Sequence, residues 1–278
     1  MRQRAISAAV LVPVLLLVLA IGGAVPVVLA AAIAVVTVLA AREVFDLLRT
    51  AGYPAFGLLG VALALMVILD ATFPAVLDGS GLLLTAIGIV LVAVAAFSKA
   101  DPRDGLGTWM ATVFGALYVS LLAFVVRLGL AAPAIPVGAV LEAIGPGRGW
   151  ILLLLLAVWA YDTGAYLVGK RFGRARFLTQ ISPSKTYAGL IGGVIATTLV
   201  MAIVLVGLGQ APAHAIILGP LVAFAAQAGD LAESMLKRAA GVKDSGSLIP
   251  GHGGMLDRVD SFLFAAPVVT LYVITVIG

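Results

Sequence analysis

Residues 150–186 read WILLLLLAVWAYDTGAYLVGKRFGRARFLTQISPSKT, an apolar run with a single acid inside it, followed by a basic, hydroxyl-bearing segment. A bilayer core about 30 Å thick needs about 20 apolar residues at a helical rise of 1.5 Å. The stretch 149–168 meets that length with Asp162 as its one charged residue. A carboxylate inside such a helix is costly and normally faces a polar cavity, where it pairs with a cation or a metal. Gly164 and Ala165 beside it also suit a close helix crossing, the plainer reading of the same stretch.

Moving outward, eight more runs of similar character appear. The nine predicted spans lie near residues 5–22, 25–41, 56–73, 81–98, 108–128, 149–168, 188–208, 213–229 and 261–277. The composition demands such a count: 63% of the 278 residues are hydrophobic and 11% charged, and the mean hydropathy is +1.20. Soluble domains hold about 25% charged residues and have no means of burying this much apolar surface. The fold class expected is all-α, a polytopic transmembrane helical bundle of about nine spans. We divide it into N-terminal transmembrane helices, 1–148, and a C-terminal catalytic region, 149–278, with loops 169–187 and 230–260. The basic opening before the first apolar run resembles a signal peptide but lacks a convincing small-x-small cleavage site, so it reads as a retained helix.

Orientation follows from the placement of Lys and Arg in alternate connections. Of the 17, 15 fall on one side and only Arg127 and Arg148 on the other. That places the N-terminus in the cytoplasm, the C-terminus outside, and both long polar loops on the cytoplasmic face. A net charge of +4 spread this way gives no reason to expect a nucleic-acid partner. The chain contains no cysteine, which excludes disulfides and thiolate chemistry. With only two histidines besides, a zinc site is not expected.

Chemistry should sit on the two loops and the helix ends flanking them. In the first, Ser182, Ser184, Lys185 and Thr186 combine hydroxyls and an ammonium just before a helix start, where backbone N–H groups can also receive anionic oxygens. Arg174 and Arg176 are explained by the positive-inside rule and anionic headgroups. In the second, if the eighth helix continues beyond the apolar run, Asp230, Ser234 and Lys237 or Arg238 share one face. Lys243 and Asp244 follow, then His252 among glycines, then Asp257, Arg258 and Asp260 at the mouth of the last span. Separated aspartates beside Lys and Arg are the ingredients of Mg²⁺-assisted phosphoryl or nucleotidyl transfer, because Mg²⁺ prefers carboxylate and phosphate oxygens. No P-loop and no strand-linked GxGxxG is present. His214, near the other membrane face, reads as an interfacial residue.

Written as spacing, residues 234–260 give S-x-x-K-R-x(4)-K-D-x-G-x(3)-P-G-H-G-G-x-x-D-R-x-D. This resembles the signature of the phosphatidate cytidylyltransferases, also called CDP-diacylglycerol synthases. The resemblance extends to D-T-G-A-Y at 162–166 and I-S-P-S-K-T at 181–186. In the first half it rests on hydropathy and the short Arg42-Glu43-Val44-Phe45 segment. One departure is Ala188, where the family commonly has glutamate.

The resemblance implies that CTP and phosphatidic acid are converted to CDP-diacylglycerol and pyrophosphate with Mg²⁺, in a bacterial-type inner membrane, by an enzyme that is a possible homodimer. By the same resemblance Asp230 and Asp257 are expected as metal ligands, with Asp162, Asp244 and Asp260 as further candidates. Lys237, Arg238, Lys243 and Arg258 would neutralise phosphates; Ser182, Lys185, Thr186 and Ser234 would position them; His252 would lie over the nucleotide. A related CTP-using enzyme acting on another lipid would look alike. An anion transporter fits less well, because these polar residues gather at one face rather than near the midplane.

Overall fold

The computed structural model describes residues 26–74, 81–248 and 253–278. Among them the regular structure is helical: α1 Pro26–Thr50, α2 Gly57–Thr72, α3 Gly81–Ala96, α4 Pro102–Ser120, α5 Ala123–Ala131, α6 Pro146–Phe172, α7 Tyr187–Gly207, α8 His214–Ala239 and α9 Leu256–Tyr272. Six helical stretches are long and apolar enough to cross a membrane: 27–50, 102–131, 146–172, 187–207, 214–239 and 256–277. Two shorter apolar helices, Gly57–Thr72 and Leu83–Ala96, coincide with the predicted spans 56–73 and 81–98. The predicted span 5–22 lies outside the described residues.

Helix ends depart from the apolar runs in a consistent direction. α1 runs nine residues past the expected end at 41, α6 runs four past 168, α8 runs ten past 229, and α9 starts five before 261. Hydropathy marks where lipid contact ends, whereas a helix ends where a cap or a breaker stops it. α8 stops only at Gly241, whose φ of +69° is the left-handed geometry that closes helices. The polar connections therefore shrink to 173–186 and 240–255, and part of each expected loop, residues 169–172 and 187 in the first and 230–239 and 256–260 in the second, stands on helices instead.

The chain divides into two compact units: Met1–Val126 with Met235–Val259, and Arg127–Ser234 with Asp260–Gly278. In the first, α2 packs on α1, α3 and α4. Phe45 is 1% exposed and its ring fills a notch left by two residues without side chains, Gly60 on α2 and Gly115 on α4. α4 starts at Asp101, whose carboxylate accepts the Arg103 N–H at 2.8 Å, with Pro102 in the first turn.

In the second unit α6 and α7 are the most extensively packed pair. Small residues make their close crossing possible: a Cβ on Gly164 would stand 2.6 Å from the Ala196 methyl, and one on Gly189 would stand 2.8 Å from the Ala165 carbonyl oxygen. In lipid, dispersion contacts and backbone approach of this kind drive helix association. Tyr161, Ala223 and Ala226 form a buried core there, with Ala165, Leu190 and Val194 against it. α7 begins at Thr186, whose hydroxyl accepts the Gly189 N–H at 3.1 Å. His214, at the start of α8, lies 3.1 Å from the Tyr272 hydroxyl.

Candidate active site

Two polar clusters collect the expected residues, one in each unit. In the second unit, Asp162 on α6, Lys170 at the end of that helix, Ser184, Lys185 and Thr186 line a cavity of about 290 Å³. Gln227 on α8 completes its polar lining. The segment before α7 folds back on itself to present these groups. Tyr187 donates its N–H to the Ala175 carbonyl at 3.1 Å, and Arg176 bridges to Thr186 in antiparallel fashion.

The Lys185 ammonium is ion-paired with an Asp230 carboxylate oxygen. The other Asp230 oxygen accepts from Ser234, one helical turn on, at 3.3 Å. Asp230 and Ser234 thus share a face, as their spacing predicts. Thr186 caps α7 and still borders the cavity. Ser182 has a different place: it closes the turn before the cavity through its backbone, with its N–H on the Leu178 carbonyl at 2.9 Å, while Ser184 borders the cavity. Asp260 also belongs to this unit and accepts the Ser261 N–H at 2.6 Å. Its carbonyl lies against Gly229, at a point where α8 and α9 approach too closely for a side chain on Gly229.

The first unit contains a tighter assembly. Lys237 donates to Asp257 Oδ1 at 2.7 Å, with side chains only 13% and 8% exposed. The opposite oxygen, Asp257 Oδ2, accepts the Ser245 N–H at 2.9 Å and the Gly254 N–H at 2.8 Å. The Ser245 hydroxyl lies 2.8 Å from that same oxygen. A carboxylate that accepts this many donors fixes the loop bearing them as firmly as they fix it. Gly253, with φ +81°, turns the chain there.

Sequence reasoning assigned no role to the residue that completes this assembly. Glu43, on α1, accepts the Met255 N–H on Oε1 at 2.9 Å and the Leu256 N–H on Oε2 at 2.8 Å. Its Oε2 also stands 2.9 Å from the Ser245 hydroxyl. That hydroxyl carries one proton and serves one of its two carboxylate neighbours at a time, the backbone donors satisfying the other. Glu43 caps the N-terminus of α9, where a negative charge meets unpaired N–H groups and the positive end of the helix dipole. Its only sequence signal was membership of the short Arg42–Phe45 segment.

Arg238, Lys243, Asp244 and Arg258 are exposed residues of this unit, with Arg238 reaching the Val242 carbonyl at 3.4 Å. His252 lies outside the described residues. Among the described residues no three acids or histidines gather as a ready metal cage. Mg²⁺ needs only one or two carboxylates when phosphates and water supply the rest. Asp230 and Asp257 are hard oxygen donors of that kind, and each is ion-paired in this structure, with Lys185 and Lys237 respectively, so a metal ion would compete with the lysine for the carboxylate.

Residues 2–276 match the Cytidylyltransferase family. The chain is 37% identical to a phosphatidate cytidylyltransferase of Synechocystis over 98% of its own length and 96% of the relative's. It is 39% identical to the chloroplastic phosphatidate cytidylyltransferase 4 of Arabidopsis thaliana, over 80% of this chain and 61% of that longer protein. A Staphylococcus aureus phosphatidate cytidylyltransferase is 43% identical over 135 residues, 48% of this chain and 52% of the relative. The chain belongs to the cytidylyltransferase family.

Proposed function

We propose that this protein is a membrane-embedded CTP:phosphatidate cytidylyltransferase, making CDP-diacylglycerol and pyrophosphate for phospholipid synthesis. The observation that carries the proposal is the near-full-length identity with a protein of that name, joined to a signature segment, 234–260, whose Lys237 and Asp257 form a direct ion pair. A phosphate oxygen of phosphatidate attacks the α-phosphorus of CTP; the new P–O bond forms as the bond to the β-phosphate bridging oxygen breaks, and pyrophosphate leaves. The phosphomonoester is largely ionised at neutral pH, with a second pKa of about 6 to 7, and needs little help from a base. The demanding tasks are bringing two anions together and stabilising the leaving group, and both are electrostatic.

Lys185, Thr186 and Ser234 are proposed to position phosphates, with Ser182 supporting the turn that presents them. Lys237, Arg238, Lys243 and Arg258 are proposed to offset negative charge, and the family resemblance gives His252, outside the described residues, a role toward the nucleotide. Asp230 and Asp257, with Asp162, are the proposed holders of Mg²⁺; Asp244 and Asp260 orient that shell. When bound, Mg²⁺ neutralises charge on the triphosphate and on the departing pyrophosphate. The finer topology belongs to the same proposal: nine spans, N-terminus cytoplasmic, and a catalytic face on the cytoplasmic side of the inner membrane, supported by the asymmetry of Lys and Arg.

The test is incorporation of labelled CTP into lipid by purified protein in detergent with phosphatidate and Mg²⁺. Product that is lost on chelation and reduced at least about 100-fold in Asp230→Asn supports the reading. Wild-type protein that consumes CTP only with a different lipid, or with none, overturns it.

A further inference from the structure

Gln227 is 6% exposed, borders the cavity of the second unit, and was not among the residues expected from sequence. Its carbonyl oxygen accepts the Tyr161 hydroxyl at 2.5 Å, while its amide nitrogen has no hydrogen-bond partner in the protein. Tyr161 is fully buried and packed against Ala223 and Ala226, so the hydroxyl that orients the amide is itself held fast. Buried donors are almost always paired, and each exception calls for an explanation. Reversing the amide would set its NH2 group against the Tyr161 hydroxyl and leave the carbonyl oxygen as the atom without a partner. The orientation observed leaves the amide nitrogen, beside the cavity that Gln227 borders, without a partner in the protein.

The rest of the cavity specifies what that nitrogen would meet. Lys170 and Lys185 supply positive charge and Ser184 and Thr186 supply hydroxyls, a lining suited to phosphate oxygens. A neutral donor beside lysines adds direction without adding charge, because its N–H vectors are fixed whereas an ammonium is a mobile point charge. We propose that Gln227 is a substrate-binding residue whose amide nitrogen donates to a non-bridging phosphate oxygen held in this cavity, and that Tyr161 is the positioning residue that aims it. The inference rests on the cytidylyltransferase reading, in which both substrates, the nucleotide and the lipid, bring such oxygens.

The experiment compares full-length wild type with Gln227→Met, which keeps the side chain's length without the donor, and Gln227→Glu, which keeps its shape and places a carboxylate against phosphate. The Michaelis constants for CTP and for phosphatidate are determined separately, with kcat and the melting temperature in detergent. Loss of one hydrogen bond to an anionic oxygen should raise one Michaelis constant about tenfold in Gln227→Met, and further in Gln227→Glu, with kcat within about twofold. A rise confined to CTP assigns the oxygen to the nucleotide, and a rise confined to phosphatidate assigns it to the lipid. Should Gln227→Met fail to fold, the more nearly isosteric Gln227→Glu decides the matter. Wild-type Michaelis constants for both substrates in a folded variant overturn the inference while leaving the enzyme reading intact. Wild type without cytidylyltransferase activity removes both together.

Discussion

Glu43 and Ser245 stand 202 residues apart in the chain, yet carboxylate and hydroxyl lie within 2.9 Å of one another. The same carboxylate takes the first two N–H groups at the start of α9, so one side chain on α1 fixes the signature loop and orients the helix that follows it. Glu43→Gln keeps the volume but turns one acceptor oxygen into a donor that faces other donors. Hydrogen bonds to a charged group contribute about 1.5–3 kcal/mol each. The variant should therefore lose about 2 kcal/mol of stability and at least about tenfold in CDP-diacylglycerol synthesis. Unfolding in detergent and a rate assay check this, and a variant matching wild type in both would deny Glu43 its role.

Gly254 sets a second condition on the same assembly. A Cβ there would collide with Glu43 Oε2 and with the Ser245 hydroxyl, two groups that other contacts hold in place. Gly254→Ala should cost about 1–3 kcal/mol, as overpacking does, and should lower the rate with it. Gly107, in the middle of α4, has open space around its Cα. Gly107→Ala should be neutral or stabilising by up to about 1 kcal/mol through helix propensity. Paired melting curves test both, and equal effects at the two glycines would mean that the loop yields more easily than its contacts imply.

The helical fold with its long apolar stretches and the family signature were readable because both are local properties. Run length, charge placement and the spacing of the 234–260 signature need no tertiary information. Local reading also anticipated that Asp230 and Ser234 would share a helix face, since the i, i+4 spacing decides it. It stopped at two kinds of fact. Hydropathy marks where lipid contact ends, not where a helix ends, so it did not show how far α1, α6, α8 and α9 extend into polar sequence before a cap or glycine stops them. It also had no access to partners distant in sequence: Glu43 looked like one more charge near a span end, and Gln227 like one more residue of an apolar helix. Ser182 and Ser184 were indistinguishable by type and spacing, and only the folded turn shows that Ser184 borders the cavity.

Lys237 and Asp257 expose little of their side chains, so removing one partner takes from the other an opposite charge that solvent replaces poorly. Lys237→Met should destabilise by about 3 kcal/mol. Asp257→Asn should also destabilise, because the Ser245 and Gly254 donors lose a full negative charge as acceptor. In the double variant neither charge remains to miss the other. Its loss should fall short of the summed single losses by at least about 1 kcal/mol. A complete thermodynamic cycle from chemical or thermal unfolding measures this coupling, and strict additivity would show that the pair contributes nothing as a pair.

Thr186 combines two tasks that a substitution can separate. Its hydroxyl oxygen accepts the Gly189 N–H as the cap of α7, which leaves the hydroxyl proton available to donate into the cavity that Thr186 also borders. A hydroxyl can do both at once, since it holds one donor and two acceptor sites. Thr186→Ala loses both and should cost about 1 kcal/mol of stability together with a weaker hold on substrate. Thr186→Asp keeps a strong capping oxygen and adds a charge favourable to the helix dipole, but sets a carboxylate where a phosphate is proposed to lie. Its melting temperature should stay near that of wild type while catalysis falls at least about 100-fold, whereas Thr186→Ser should preserve both. If Thr186→Asp remained as active as wild type, Thr186 would be a capping residue alone, and phosphate positioning in this cavity would fall to Lys185 and its neighbours.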